Sequence, residues 1–448
     1  MPQPSGQNLL VLRVLEAPAA AVAALLLLAS CSVPGLGGSP APVVKIGVDL
    51  PLSGDEGRVA TPALNGVSFY VQQHPTLDGF AVSLAVKDDS TRGGTEPALG
   101  AADIQGLASD PQVMAVIGPF DSSVARAEIP VANQASLAIV SPATSSPCLT
   151  RSDYLPAGLA PARVAVSCKV AGLPSAAELR PSGVNNYFRL AATDDLQGPA
   201  AADYAFKSLH LFRVAAISDH EAYGQALAGS FATRFTALGG SIVGRLDLDP
   251  SASVDVTGFL NRMKADGAQA LYFGGVTANK GCAIRAEMAG MFAPGKATPF
   301  LGGDGIAEDP ACTQDAGANA AGIYATVPIV DSASIGTAEP VISAFKAAFP
   351  KPQDYGAYTV IAYDDAAVVY DALDRAIKAD GGRLPPRGNV ISQLSVTRDF
   401  AGATGEFGFD LNGDSTRRIL TVFEPSAADP RGPWKRVGAV DYTGALPY

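Results

Sequence analysis

Two turns in this sequence carry hydroxyls where a small anion could be held. The apolar run Val113–Ile117 is followed by Gly118-Pro119-Phe120-Asp121-Ser122-Ser123, and Leu137–Val140 by Ser141-Pro142-Ala143-Thr144-Ser145-Ser146. Backbone N–H groups at a helix start, together with Ser and Thr hydroxyls, suit a carboxylate such as that of an amino acid. Either turn alone would serve equally as an ordinary helix N-cap; two of them at successive strand ends shift the balance toward a ligand. Complementary acids come later. Asp194 stands where one half of the chain gives way to the next, and Asp304 sits among glycines in Gly302-Gly303-Asp304-Gly305. A carboxylate in such a turn can pair with an ammonium through charge-assisted hydrogen bonds, or be an ordinary turn residue. Tyr223, in Asp219-His220-Glu221-Ala222-Tyr223-Gly224, is placed either to stack on a ligand or to open its own helix.

Bond-making chemistry finds less support. The three histidines are His74, His210 and His220, and no G-x-S-x-G elbow presents a nucleophile. His220-Glu221 begins like a zinc-protease helix, but Gly224 occupies the second histidine position. Asp410-x-Asn412-Gly413-Asp414 has the composition of a calcium loop. Its glycine comes one place early and Thr421 stands where a bidentate Glu belongs, so it reads as a turn between strands. Neither a metal nor a cofactor is expected, and an exported α/β enzyme is the remote alternative.

The elements that position these residues alternate. Strands are expected at 43–48, 80–87, 113–117, 137–140, 187–190, 214–217, 241–246 and 270–273, with a short one from Phe300. Helices are expected at 62–73, 97–109, from Ser122, 198–209, 223–238, 256–265, 282–291, 339–349 and 358–378, and short β pieces at 406–409 and 418–423. Strand–helix alternation of this regularity implies right-handed βαβ units in doubly wound sheets. The rhythm breaks at 148–183, a Pro-, Ala- and Ser-rich insertion, and a second α/β block begins near Ala191–Asp195. Two such sheets facing each other leave a cleft at their strand ends, a favoured place for a small molecule.

Composition narrows the class. A formal charge of −11 argues against nucleic acid, which needs clustered Lys and Arg. Residues 1–30 contain an uncharged apolar run, Ala19–Ala29, too short to cross a bilayer of roughly 30 Å, and read as a signal peptide. The run ends in Leu28-Ala29-Ser30-Cys31, which resembles the bacterial lipobox, so Cys31 is the expected site of lipidation and 31–42 a tether. The remaining cysteines are Cys148, Cys168, Cys282 and Cys312. They suit an oxidising compartment, local pairing would give Cys148–Cys168 and Cys282–Cys312, and three connectivities are open.

Lys45-Ile46-Gly47, Pro51-Leu52-Ser53-Gly54, Ala63-Leu64-Asn65-Gly66, Val116-Ile117-Gly118-Pro119 with Ser122-Ser123, Ser141-Pro142-Ala143-Thr144, Gln197-Gly198-Pro199, Tyr223-Gly224, Tyr272-Phe273-Gly274-Gly275 and Gly302-Gly303-Asp304-Gly305 follow one another in order. Together they give the chain, from Lys45 to about Glu424, a resemblance to the branched-chain amino acid (Leu/Ile/Val-type) substrate-binding proteins of ABC transporters. The resemblance implies the type I periplasmic-binding fold, two doubly wound Rossmann-like lobes joined by a multi-crossing hinge. Lobe 1 would comprise 43–193 plus about 327–398, and lobe 2 194–326 plus about 399–448. Ser122, Ser123, Thr144 and Ser145 would hold the ligand carboxylate, with the contact at Thr144 or Ser145 left open. Asp194 and Asp304 would take the amine, and Tyr223 would line the second lobe. Val276 stands where an aromatic is common, which widens the expected ligand to amides and related solutes. The implied partners are a small zwitterion, an ABC permease and, through the Cys31 lipid, the outer face of the cell membrane. A ligand-sensing receptor subunit serving a signalling partner is the alternative.

Overall fold

Uninterrupted apolar runs become parallel strands because both of their faces are covered. In the computed structural model, described over residues 41–54, 56–91, 94–154, 166–169, 172–249, 253–289, 298–426 and 434–444, the first sheet contains β1 (Val43–Leu50), β2 (Thr76–Leu77), β3 (Phe80–Asp88), β4 (Val113–Ile117), β5 (Ala138–Ser141) and β6 (Tyr187–Arg189). The leader 1–30, Cys31 and the tether to residue 40 lie outside the described residues. The strand order is β6-β5-β4-β1-β3-β2, parallel except for β2 on β3. β4 shows why the run is apolar throughout. Val113 and Val116 face one core with Ile104, Leu107 and Ile129, whereas Met114 and Ile117 face another with Val48, Val67 and Leu373.

Helices α1 (Gly57–Gln73), α2 (Pro97–Ser109) and α3 (Ser122–Gln134) clothe this sheet. The chain then passes to α4 (Asp194–Asp203) and to the second sheet, which begins with β7 (Arg213–Ser218), α5 (Ala222–Ala237), β8 (Ser241–Asp247), α6 (Val256–Ala265) and β9 (Ala270–Gly274). Next come α7 (Gly281–Ala289), β10 (Phe300–Gly302), α8 (Pro310–Ala316) and β11 (Ile323–Val327). Again one strand serves two cores: Leu271 and Phe273 of β9 face one, Ala270 and Tyr272 the other. α4 begins at Asp194, four residues earlier than Gly198-Pro199 suggests. Gly198 is needed inside it, because a Cβ there would lie 1.9 Å from Ser230 Oγ and 2.7 Å from the Phe231 nitrogen of α5.

After β11 the chain returns to the first lobe, where α9 (Glu339–Ala348), α10 (Thr359–Ala379) and α11 (Arg387–Ser395) pack, α9 and α10 against α1 and α11 under β4 and β5. The hairpin β12 (Phe400–Gly402) and β13 (Gly405–Phe407) also rests there, since Asp364 of α10 accepts hydrogen bonds from the Ala403 and Thr404 nitrogens at 2.7 Å each. The first lobe therefore extends past 398. Only after the turn Asp410–Asp414 does the chain rejoin the second sheet as β14 (Ile419–Glu424) and β15 (Lys435–Asp441), giving the order β8-β7-β9-β10-β11-β14-β15 with β14 and β15 antiparallel. Three crossings thus run side by side: Ala192 N donates to Pro328 O at 2.7 Å, and Arg189 N to Gly413 O at 3.0 Å. Disulfides join Cys148 to Cys168 and Cys282 to Cys312. No helix of the described residues is long and apolar enough to cross a membrane.

Candidate ligand-binding site

The two hydroxyl turns meet at the strand ends of the first sheet. Gly118 takes φ +124°, and a Cβ there would fall 2.0 Å from the carbonyl of Asp49, so the turn into α3 hugs the end of β1 in a way only glycine permits. Asp121 caps α3 by accepting from Ser123 N at 2.6 Å, leaving the Ser122 hydroxyl to accept from Ser146 N at 3.3 Å. The second turn folds back on itself. Ser141 Oγ donates to Pro119 O at 2.8 Å, and Thr144 Oγ1 donates to Ser141 Oγ at 2.7 Å while also bonding Tyr187 Oη. Thr144 is 1% exposed and its hydroxyl is consumed inside the lobe. Ser145, 8% exposed, turns the other way: its carbonyl accepts from Asp194 N at 2.9 Å.

A buried arginine fixes this turn. Arg189 is 0% exposed. It donates to the Thr144 carbonyl at 3.3 Å, the Ser146 carbonyl at 2.8 Å and Thr150 Oγ1 at 2.6 Å, and pairs with Asp414 Oδ1 at 2.8 Å. One guanidinium thereby locks the 144–150 segment to the third crossing, the bidentate use of arginine that lysine cannot match.

The acids face these hydroxyls. Asp194 opens α4, where the helix N-terminus favours negative charge, yet its Oδ1 is buried without a hydrogen-bond partner. Burial and the nearby Asp304 carboxylate push it up to about 7, against the Ser145 hydroxyl and Arg189, which pull it down. Asp304 Oδ1 accepts from Tyr223 Oη at 2.5 Å and Gln197 Nε2 at 2.9 Å, and Tyr223 Oη in turn accepts from Gly305 N at 3.1 Å. Burial raises Asp304 despite these donors. Val276 lies against the same turn, with Cγ1 3.0 Å from where a Gly305 Cβ would stand; its nitrogen donates to Asp219 Oδ2 at 3.1 Å. Asp219 also takes Asn279 Nδ2 at 2.9 Å and Glu221 N at 3.1 Å, so it pins turns and is spent.

Four further residues belong here that the sequence did not single out as site residues. Gln197 holds Asp304 and also donates to the Thr326 carbonyl at 2.7 Å. Tyr272, with a buried hydroxyl lacking a partner, senses both Asp304 and Asp194. Tyr358 senses them too, and packs edge-on against Phe120 at 4.7 Å between ring centroids. Of these, Gln197, Tyr272 and Phe120 stand inside stretches the sequence displays, and Tyr358 does not. The whole is a cleft with hydroxyls and amides on one side, two uncompensated carboxylates on the other, and aromatic walls. Such a set can bind a group carrying both signs of charge.

Comparison with known proteins gives the family and the fold. A family model described as periplasmic binding protein matches residues 43–428. An amino acid binding protein of Pseudomonas aeruginosa is 25% identical over 351 residues, covering 78% of this chain and 83% of its own. The Leu/Ile/Val-binding protein homolog 1 of Brucella abortus is 25% identical over 398 residues, covering 86% and 91%. The solved branched-chain amino acid transporter substrate binding protein of Streptococcus pneumoniae, in complex with isoleucine, superimposes with a TM-score of 0.66 at 22% identity, over 89% of this chain and 99% of that one. With its two wound sheets, triple crossing and inter-lobe cleft, the chain belongs to the periplasmic binding protein family and has that family's type I fold.

Proposed function

We propose that the chain is an extracytoplasmic solute-binding lipoprotein of an ABC importer, which captures an amino acid or a related small zwitterion or amide by closing its lobes. The observation that carries this reading is the pair Asp194 and Asp304: two half-buried carboxylates, of which Asp304 raises Asp194, while Asp194 Oδ1 is buried and lacks a hydrogen-bond partner. A ligand ammonium between them relieves that repulsion. The ligand carboxylate is assigned to Ser122, Ser123 and Ser145 with the α3 N-terminus, and Tyr223, Tyr358, Phe120 and Val276 enclose the remainder. Between Thr144 and Ser145 we favour Ser145, because the Thr144 hydroxyl is committed to Ser141 and Tyr187. The relatives named above bind amino acids, which supports the ligand class. Closure about the three crossings would then choose between two arrangements of the lobes, and Cys31 would keep the closed form beside its permease. A thermal-shift screen of the chain from Ser32 against aliphatic amino acids, amides and small carboxylates tests this. At about 100 times the dissociation constant a ligand adds roughly 2.7 kcal/mol. A hit confined to anions without an amine would refute the zwitterion reading.

A further inference from the structure

A second group of acids lies inside the first lobe, outside the cleft. Asp49 stands near the end of β1, Asp89 directly follows β3, and Glu128 lies in the second turn of α3. All three are 0% exposed, and one oxygen from each lies within 4.8 Å of the others. Among the described residues none of their six oxygens meets an N–H or O–H donor from outside the group; Asp49 and Glu128 lie close enough to share a proton with each other. The surroundings do not compensate. Asp103, Asp121, Asp88 and Glu56 add further negative charge, and the nearby Lys87 is half out in solvent and paired with Asp103 at 3.3 Å. Three carboxylates that converge, exclude water and lack donors make an environment for a positive charge that the chain itself does not supply.

We propose that Asp49, Asp89 and Glu128 hold a calcium ion. The donor set is all oxygen, with neither imidazole nor thiolate, which selects a hard cation over zinc or copper. Three carboxylates can offer up to about six oxygens, near the lower end of what calcium takes, whereas magnesium characteristically keeps several waters and one or two carboxylates. The three ligands come from β1, the segment after β3 and α3. An ion there would tie together the elements whose ends form the hydroxyl side of the cleft, since the carbonyl of Asp49 backs the Gly118 turn and α3 begins at Ser122. The expectation from spacing that no metal is held rested on contiguous motifs, and these ligands are 40 and 39 residues apart in sequence.

Metal analysis of the purified full chain, paired with melting curves, tests this. The expected result is one calcium per chain, a melting temperature lowered by a few degrees in chelator and restored by millimolar calcium but not by magnesium, and loss of that response in Asp49→Asn and Glu128→Gln. Losing the response in these variants assigns the ion to this group and not to the Asp410 turn. If neither variant folds, the stoichiometry and chelator response of the unaltered chain still decide whether an ion is held. The proposal is overturned by a metal-free chain whose melting ignores calcium, by a response to magnesium alone, or by an unchanged response in Asp49→Asn. It is equally overturned if Glu128→Gln raises the melting temperature and calcium has no effect, the behaviour of carboxyls that share protons.

Discussion

At the scale of single residues, the cleft is defined by charge that the protein leaves uncompensated. Asp194 titrates near 7 because it is buried beside Asp304. The folded chain therefore holds a proton that the unfolded chain releases, and the ligand-free protein loses stability as pH rises from the ordinary carboxyl range to about 7. Binding an ammonium requires the charged form, so the sign reverses for affinity. Calorimetric titration should show an amino acid binding progressively more weakly below pH 7, by up to about tenfold per unit for one proton, and unchanged above it. The two hydroxyls of the Ser141 turn should part company. Ser145→Ala is expected to weaken ligand binding with little change in melting temperature. Thr144→Val should cost about 1–2 kcal/mol in a denaturant titration, by removing the Thr144 hydroxyl from between the buried Tyr187 and Ser141 hydroxyls.

At the scale of elements, most of the framework was legible because period and burial agree. Runs such as Val113–Ile117 and Ala270–Phe273 read as buried parallel strands and are so, and Val256–Ala265 is helical over the expected residues. β11, Ile323–Val327, was missed: Ile323, Ala325 and Val327 do alternate with Tyr324 and Thr326, but five residues are a short signal, and β10 and β14 flank the strand. β15 and α11 were missed likewise, being held by tertiary packing against β14 and against α10. The same logic governs the site. Asp194, Asp304 and the serines could be put forward from sequence because each sits in a turn beside a strand end or at the change of lobe; Tyr272 stands in a quoted motif that points to no role, and Tyr358 nears the acids through folding alone. Arg189 could not be assigned a role from sequence, since its partner Asp414 lies on the third crossing. Arg189→Met removes the shorter ion pair of the buried Asp414, leaving it the longer contact to Arg151 at 3.8 Å, and unbinds the Ser/Thr turn. It should destabilise the chain by about 3–5 kcal/mol in chemical denaturation, beyond any effect on affinity.

At the scale of the whole molecule, two lobes share three adjacent crossings, each a short segment tied to its neighbours by backbone hydrogen bonds such as Ala192 N to Pro328 O. In the proposed closure, rotation about such a bundle would move the Tyr223–Asp304 side of the cleft relative to Ser122 and Ser145 without disturbing either sheet. Ligand should therefore reduce the radius of gyration in solution scattering while leaving the far-ultraviolet circular dichroism unchanged; an unaltered radius at saturation would remove lobe closure from the account. The central claim, that a zwitterion is held between the acids of one lobe and the hydroxyls of the other, meets its most direct test in calorimetric titration of the chain and of Asp304→Asn with leucine, isoleucine and valine, their amides, and the corresponding deaminated acids. The account predicts one site per chain, binding that requires the amine, and affinity reduced more than tenfold in Asp304→Asn. Binding of the deaminated acids as tightly as the amino acids, or equal affinity in the variant, would contradict it.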